Sequence, residues 1–225
     1  METPLRLPAA VAAALHVSLA GLLAAAVPAI FVFAPTEQTM GLTQRILYLH
    51  VSVAWAGLAC FLLVAGAGAL YLLRRDLRWD HWAAAAAEVG WLCSTLTLVT
   101  GSLWAHAAWN TWWTWDPRLT ATAVLWAVYC AYLILRSGLE DPHRRARAGA
   151  VLAVIGLIDL PMVAMATQWF RGIHPPSPQM EPAMRLALLL SVAAFTGLFG
   201  LLVCCRRRQL QLQEMLLRLE QDSDV

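Results

Sequence analysis

Six long apolar segments constrain the fold of this chain more than any other feature of its sequence. A membrane-spanning helix needs roughly 20 mostly apolar residues, because the hydrocarbon core of a bilayer is about 30 Å thick and backbone polar groups inside it must be paired internally. Hydrophobic residues make up 60% of this chain, which is outside the range of ordinary soluble domains. We therefore predict an all-α, polytopic membrane protein with six transmembrane helices near residues 8–33, 48–73, 83–104, 119–136, 148–169 and 184–205.

The connections between these segments are short. None is long enough to bury a core of its own, so a functional site must be built from helix ends and loops. We predict one membrane domain over residues 1–205 and a C-terminal tail over 206–225. The first apolar segment follows a basic residue, as in a signal peptide, but it is too long for one, and we interpret it as the first span. The tail is amphipathic over 210–219 and could lie on the membrane, dock a partner or form a solvated helix.

The arginines predict the orientation in the membrane, because short loops rich in positive charge stay on the cytoplasmic side. All sixteen basic residues are arginines. Twelve fall on one side of the predicted spans, namely Arg6, Arg74, Arg75, Arg78, Arg136, Arg144, Arg145, Arg147, Arg206, Arg207, Arg208 and Arg218. The four on the other side are Arg45, Arg118, Arg171 and Arg185. Both termini are therefore predicted to be cytoplasmic, and the loop between the third and fourth spans faces outward.

That outward loop is rich in tryptophan. Five tryptophans lie in and just before it: Trp104, Trp109, Trp112, Trp113 and Trp115. Tryptophan is common at membrane interfaces, but this density exceeds what an interfacial belt requires. We predict that these rings form a flat aromatic surface for a broad planar ligand.

An acidic and a basic residue follow these tryptophans, and the sequence leaves two roles open for them. Arg118 could bind a ligand carboxylate, because a guanidinium group matches a carboxylate at two points. Alternatively, Arg118 pairs with Asp116, which caps the fourth span with Pro117 as the first helical residue. Both roles are compatible with each other.

The histidines separate by depth. His81 and His143 lie in the arginine-rich loops, whereas His16 lies within the first span. On the outward side, His50 begins the second span and His174 follows the fifth. Two histidines at the same face as an aromatic surface could coordinate a haem iron from opposite sides of the macrocycle, but they could also be ordinary interface residues.

Two other kinds of chemistry find less support. A zinc site needs three or four clustered ligands, and the outward side offers only His50, His106, His174, Glu37, Asp116 and Glu181. The five cysteines form no CxxC motif, and the chain has no Walker loop and no GxGxxG after a strand. If transport here consumes ATP, another subunit must supply it.

The motifs together resemble a known family. The segment Gly101-Ser102-Leu103-Trp104, leading into 109–120, resembles the signature of the tryptophan-rich WWD proteins that handle haem in cytochrome c maturation, and the six-span CcmC type in particular. Tyr48-Leu49-His50-Val51 resembles the family's first histidine motif, and His174 lies where its second histidine is expected. The resemblance is close to end to end. We call residues 104–120 the WWD segment.

The resemblance implies a function and a set of partners. His50 and His174 would be the axial ligands of a haem b, carried as cargo and cradled by the WWD segment. The protein would sit in the bacterial inner membrane and present haem to a periplasmic haem chaperone for c-type cytochrome biogenesis. Its expected partners are the membrane and ATPase subunits of an ABC transporter and a small single-span helper protein. It is therefore expected to be a delivery protein more than an enzyme.

Two alternatives and two departures from the family accompany this interpretation. A cytochrome b-type electron-transfer subunit would also use paired histidines, and a transporter could move haem across the membrane itself. The family signature usually has glycine where Asn110 stands and after Trp104, where this chain has Ala105. Asparagine tolerates the left-handed region best among non-glycine residues, so a left-handed turn at Asn110 is possible. Ala105 has no such explanation.

Overall fold

The structure, a computed structural model, describes residues 8–172, 174 and 180–223, except for the side chains of Arg218, Gln221 and Asp222. Arg6 and the last two residues of the predicted tail lie outside the described residues. The helices are α1 (Ala9–Pro28), α2 (Gln44–Arg74), α3 (Leu77–Trp109), α4 (Pro117–Ser137), α5 (Pro142–Trp169) and α6 (Pro182–Ser223). A π-helical turn, Ala29–Phe33, extends α1.

The six predicted spans each correspond to one of these helices. All six are long and apolar enough to cross a membrane. No strand occurs within the described ranges, so the prediction of an all-α, six-span membrane protein is confirmed. Most of the helices are longer than the predicted spans, because a helix can continue beyond the hydrocarbon core as long as its own backbone hydrogen bonds are made.

Aspartates start three of the helices. Asp76 accepts a hydrogen bond from the N–H of Arg78 at 2.9 Å, and Asp141 accepts one from the N–H of Arg144 at 2.6 Å. Asp116 caps α4 in the same way through the N–H of Leu119, at 2.9 Å. An aspartate at the N-cap accepts a hydrogen bond from an N–H group that has no partner within the helix. Each of these helices can therefore begin directly after a short loop.

The central core lies between α2, α3, α4 and α5. Small residues let α2 and α3 approach closely, as is usual between membrane helices. A Cβ atom on Gly90 would lie 2.7 Å from the Phe61 ring, so this position has no room for a side chain. The Phe61 ring in turn stacks on Tyr129 of α4, with 3.8 Å between ring centroids. The bundle that positions the candidate site is therefore tightly packed beneath it.

Ion pairs lie at the end of the bundle opposite the WWD segment, which we call the arginine-rich end. Arg136 of α4 forms a two-point pair with the largely buried Asp80 of α3, with N–O distances of 2.5 and 2.9 Å. A planar guanidinium is well suited to this geometry. The pair joins the last turn of α4 to the first turn of α3.

Helix α6 passes through the predicted boundary at residue 205 without a break. Its Arg206 pairs with Glu88 at 2.6 Å, and its Glu214 lies 2.7 Å from His81, so the first half of the predicted tail lies along α3. The guanidinium of Arg207 also lies 4.4 Å from the centre of the Trp82 ring. None of the three alternatives considered for the tail included this packing against α3 of the same chain.

Candidate functional site

A cavity of about 370 Å³ opens at the end of the bundle that carries the WWD segment. This volume lies within the range of pockets that hold small molecules and cofactors. Its inner part is apolar and reaches Phe61 of α2, Leu98 of α3 and Leu125 of α4. Five of the predicted site residues line it: His50, His174, Trp104, Trp113 and Arg118. The cavity thus brings together residues from α2, α3, α4 and the loop after α5.

His50 lies in the second turn of α2 and faces α3. Its Nδ1 atom lies 3.0 Å from Oγ1 of Thr100. The ring also lies directly over Gly101, where a Cβ atom would be 3.0 Å from His50 Cε1. Glycine at position 101 therefore lets the imidazole lie flat against α3 at the cavity wall.

His174 lies after α5 and is held by the carboxylate that caps α4. Its Nδ1 lies 2.9 Å from Oδ2 of Asp116, and both side chains are largely buried. Its ring also packs edge-on against Trp109, with 5.7 Å between ring centroids. Gly172 allows the chain to pass close to this carboxylate, since a Cβ atom there would be 3.3 Å from Asp116 Cβ. The side chain of His174 is therefore fixed by a charged hydrogen bond and by aromatic packing.

Both histidines use Nδ1 for contacts with the protein. The backbone of Thr97 also lies within hydrogen-bond reach of the His50 ring. Within the described part of the chain, the side-chain contacts of both rings are made by Nδ1 and none by Nε2. Metal-binding histidines commonly have this arrangement, in which one ring nitrogen is held by a neighbouring group and the other is free for the metal.

The two roles left open for Asp116 and Arg118 are resolved in part. Asp116 is the N-cap of α4 and Pro117 is its first residue, as predicted. The second carboxylate oxygen bonds His174, however, and not Arg118. Arg118 lines the cavity, and its guanidinium forms no hydrogen bond or close ion pair with any described residue, although the Asp116 carboxylate lies near enough to attract it. It therefore remains available to a ligand.

Three tryptophans line the cavity or pack against His174. Trp104 is buried and packs edge-on against Trp109 at 65°, with 4.7 Å between centroids. Trp104 and Trp113 line the cavity. Their indole N–H groups are buried and have no hydrogen-bond partner among the described residues. A buried donor without a partner costs about 1–3 kcal/mol, so a ligand that accepted these hydrogen bonds would be favoured.

The other two tryptophans lie outside the cavity. Trp112 stacks on His106 with 4.0 Å between ring centroids, and 55% of its surface is exposed. Trp115 packs edge-on against Trp113 at 82° and is 79% exposed. The five rings therefore do not form the single flat surface predicted from their density, because neighbouring rings meet edge to face.

The departures from the family signature fit the helical end of α3. Asn110 adopts a left-handed conformation with φ of 53° and ends the helix, as its side chain allows. Its N–H donates to the carbonyl of His106 at 3.0 Å. Ala105 is buried in the last turns of α3 and lines the cavity, where no unusual backbone conformation is needed.

The remaining histidines take no part in the cavity. His16 bonds the carbonyl of Ala12 in its own helix at 2.6 Å, and His143 contacts Tyr71 at the arginine-rich end. No group of three or more histidine, cysteine or acidic side chains suited to a metal ion occurs in the described ranges, which gives the zinc alternative no support. Glu37, one of the ligands considered for zinc, accepts hydrogen bonds from the N–H groups of Met40 and Thr39, which lower the pKa of its carboxyl below the ordinary value.

Two residues of the site were not predicted from the sequence. Thr100 contacts His50, and Met180 lines the cavity just before α6. Thr100 lies one helical turn before Trp104, but nothing in the sequence indicates that it meets a residue 50 positions away. Met180 follows His174 by six residues, and no motif in the sequence around it indicates a role in a site.

Comparison with known proteins agrees with the motifs. Residues 2–221 match the family described as CcmC, heme exporter protein C. The heme exporter protein C of Bradyrhizobium diazoefficiens is 35% identical over 173 residues, which cover 74% of this chain and 66% of that protein. The protein of that name from Escherichia coli is 34% identical over 184 residues, covering 80% of this chain and 75% of the relative. A Marchantia polymorpha protein, named as a ccmC-like mitochondrial protein of cytochrome c biosynthesis, is 30% identical over 183 residues, which cover 79% and 78% of the two chains. This chain, as its WWD segment predicts, belongs to the CcmC family.

Proposed function

We propose that this protein binds haem b in the cavity and delivers it to a periplasmic haem chaperone for the maturation of c-type cytochromes. One observation carries the proposal: two histidines from separate elements line one cavity, each with Nδ1 held by the protein and Nε2 free among the described contacts. The names of the relatives, heme exporter protein C, support haem as the cargo.

The chemistry of the cavity fits this cargo. A neutral imidazole nitrogen is a common ligand of haem iron. The apolar inner wall suits the porphyrin ring, which carries two propionates at its edge. The unpaired N–H groups of Trp104 and Trp113 and the guanidinium of Arg118 are suited to acidic groups of this kind. Each part of the haem therefore has a complementary group in the cavity.

Delivery requires that the haem also leaves. Two imidazoles would hold the iron firmly, so one ligand must give way or the chaperone must shift the equilibrium by binding the released state better. Trp112 and Trp115 are exposed beside the cavity and offer an apolar surface for the docking of the chaperone. Apart from the two histidines, the described residues that line the cavity include no carboxylate, cysteine or lysine.

The same proposal extends to location and partners. The protein would span the bacterial inner membrane with both termini in the cytoplasm and the cavity at the periplasmic face. The distribution of arginines supports this orientation. An ABC transporter with its ATPase subunit and a small single-span protein would complete the assembly.

The two alternatives receive less support from the geometry. A cytochrome b-type subunit buries its haem ligands between helices near the middle of the bilayer, whereas His174 lies in a loop after α5. A path for haem across the membrane would need polar groups along it. Glu88 is instead paired with Arg206, and His16 faces away from the bundle.

An absorption spectrum tests the proposal directly. The protein would be purified in detergent from haem-replete cells and compared, oxidised and reduced, with the double variant His50→Ala/His174→Ala. The proposal expects a six-coordinate bis-histidine spectrum in the wild type that is lost in the variant. A wild-type protein without stoichiometric haem, or an unchanged spectrum in the variant, would overturn it.

A further inference from the structure

The contact between His50 and Thr100 carries information about which ring nitrogen holds the proton. Thr100 Oγ1 lies 2.7 Å from the backbone carbonyl of Leu96, one turn earlier in α3. A hydroxyl has a single hydrogen, and a carbonyl oxygen can only accept. The hydroxyl also lies 3.3 Å from the carbonyl of Thr97, which can likewise only accept, so the Thr100 hydroxyl donates its hydrogen to the backbone.

In its contact with His50, the Thr100 hydroxyl oxygen must then be the acceptor. His50 Nδ1 lies 3.0 Å from the same Oγ1 atom, which has lone pairs left but no second hydrogen. His50 Nδ1 must therefore carry the hydrogen and donate it. In a neutral imidazole this leaves Nε2 with its lone pair, which is the form that binds a metal.

We propose that Thr100 is a positioning residue for His50, which holds the imidazole as the Nδ1–H tautomer with the Nε2 lone pair available to the haem in the cavity. The role rests on the proposed function. Gly101, the next residue of α3, contributes to the same arrangement because it lets the ring lie against the helix. Thr100 and Gly101 together fix both the proton and the plane of the ring.

This role differs from a merely structural one in a measurable way. When the ring nitrogen that does not bind the metal donates a hydrogen bond, the other nitrogen becomes a more basic ligand and gives more electron density to the metal. A stronger donor stabilises ferric iron relative to ferrous iron. Removal of the Thr100 hydroxyl should therefore weaken the binding of haem and raise the midpoint potential of the haem that remains.

Three single variants test the inference in the full chain. Thr100→Val has nearly the same shape but no hydroxyl, whereas Thr100→Ser keeps the hydroxyl. Thr196→Val is a matched control, because Thr196 donates to the carbonyl of Val192 in the same way on an exposed part of α6. The haem content, the absorption spectrum and the midpoint potential would be measured for each, together with the amount of protein inserted in the membrane.

We expect Thr100→Val to retain haem about tenfold less well, as is usual when the group behind a metal ligand is removed. If only the affinity for ferric haem falls, a tenfold decrease raises the midpoint potential by about 59 mV for a one-electron couple. Thr100→Ser and Thr196→Val should match the wild type.

The outcomes separate this inference from the function on which it rests. A wild type that holds bis-histidine haem, with a Thr100→Val variant of unchanged retention and potential, would overturn the role of Thr100 alone. The same conclusion would follow if Thr100→Ser behaved like Thr100→Val. A wild type without haem would instead overturn the proposed function, and the role of Thr100 with it.

Discussion

His174 Nδ1 lies 2.9 Å from Asp116 Oδ2, although the two residues are 58 positions apart in the chain. The same carboxylate caps α4 through its other oxygen, which accepts from the N–H of Leu119. One side chain therefore both starts a helix and holds the loop histidine at the cavity. The two tasks use different oxygen atoms, so they can be separated by substitution.

Asp116→Asn and Asp116→Ala should have different effects. Asparagine is as good a helix cap as aspartate, but it offers one acceptor oxygen where the carboxylate has two. We expect both variants to lower haem retention by about 10- to 100-fold. Only Asp116→Ala should also lose about 1 kcal/mol of stability, which thermal unfolding in detergent would measure. Equal stability of the two variants would contradict the capping role.

Single substitutions should show which histidines the binding of haem requires. We expect His50→Ala and His174→Ala each to lose most of the bound haem and to stop charging of the chaperone, because each removes one ligand from the cavity. His106→Ala is the control, since His106 stacks on Trp112 outside the cavity. Haem content per protein would be read from the absorption spectrum. A large loss in His106→Ala would mean that the ligands are assigned wrongly.

Two tryptophans should separate binding from delivery. Trp113 lines the cavity with an unpaired N–H, so Trp113→Phe keeps an aromatic ring but loses a donor and should weaken haem retention. Trp112 is exposed, so Trp112→Ala should keep its haem but transfer it more slowly to the chaperone. The measurement is the haem content of each variant and the rate of its transfer. The reverse pattern would contradict this division.

A pair of glycines tests the close approach of the His50 ring. Gly101→Ala would place a Cβ atom 3.0 Å from His50 Cε1, so the imidazole must shift by a few tenths of an ångström. Gly66→Ala is the matched control in α2, because nothing lies within 4 Å of its added Cβ. We expect Gly101→Ala to lower haem retention, with little change in membrane insertion. Gly66→Ala should behave as the wild type in both measurements.

The fold could be predicted from the sequence because its determinants are local. Each span is a continuous apolar segment, and Asp116-Pro117 is a helix start that can be read from two adjacent residues. Asn110 similarly ends α3 through a preference of its own backbone. The signals that a short window contains were therefore sufficient for the helices and most of their ends.

The contacts within the site could be predicted only in part. The order of the spans predicts that His50 and His174 lie at the same end of the bundle, and the structure brings both to one cavity. The contacts that hold these histidines, from Thr100 and Asp116, depend on how the helices pack. No local sequence pattern indicates that packing. The orientation of each tryptophan ring also depends on its packing neighbours, so the density of tryptophans alone indicated a flatter surface than the one observed.

Helix α6 connects two distant parts of the molecule without interruption. Its 42 residues correspond to a length of about 63 Å at a rise of 1.5 Å per residue. Leu188 near one end forms part of the cavity wall, and Arg206 and Glu214 towards the other end are tied to α3. Because α6 is continuous between these points, a displacement of its arginine-rich end would also displace the part of the helix that carries Leu188.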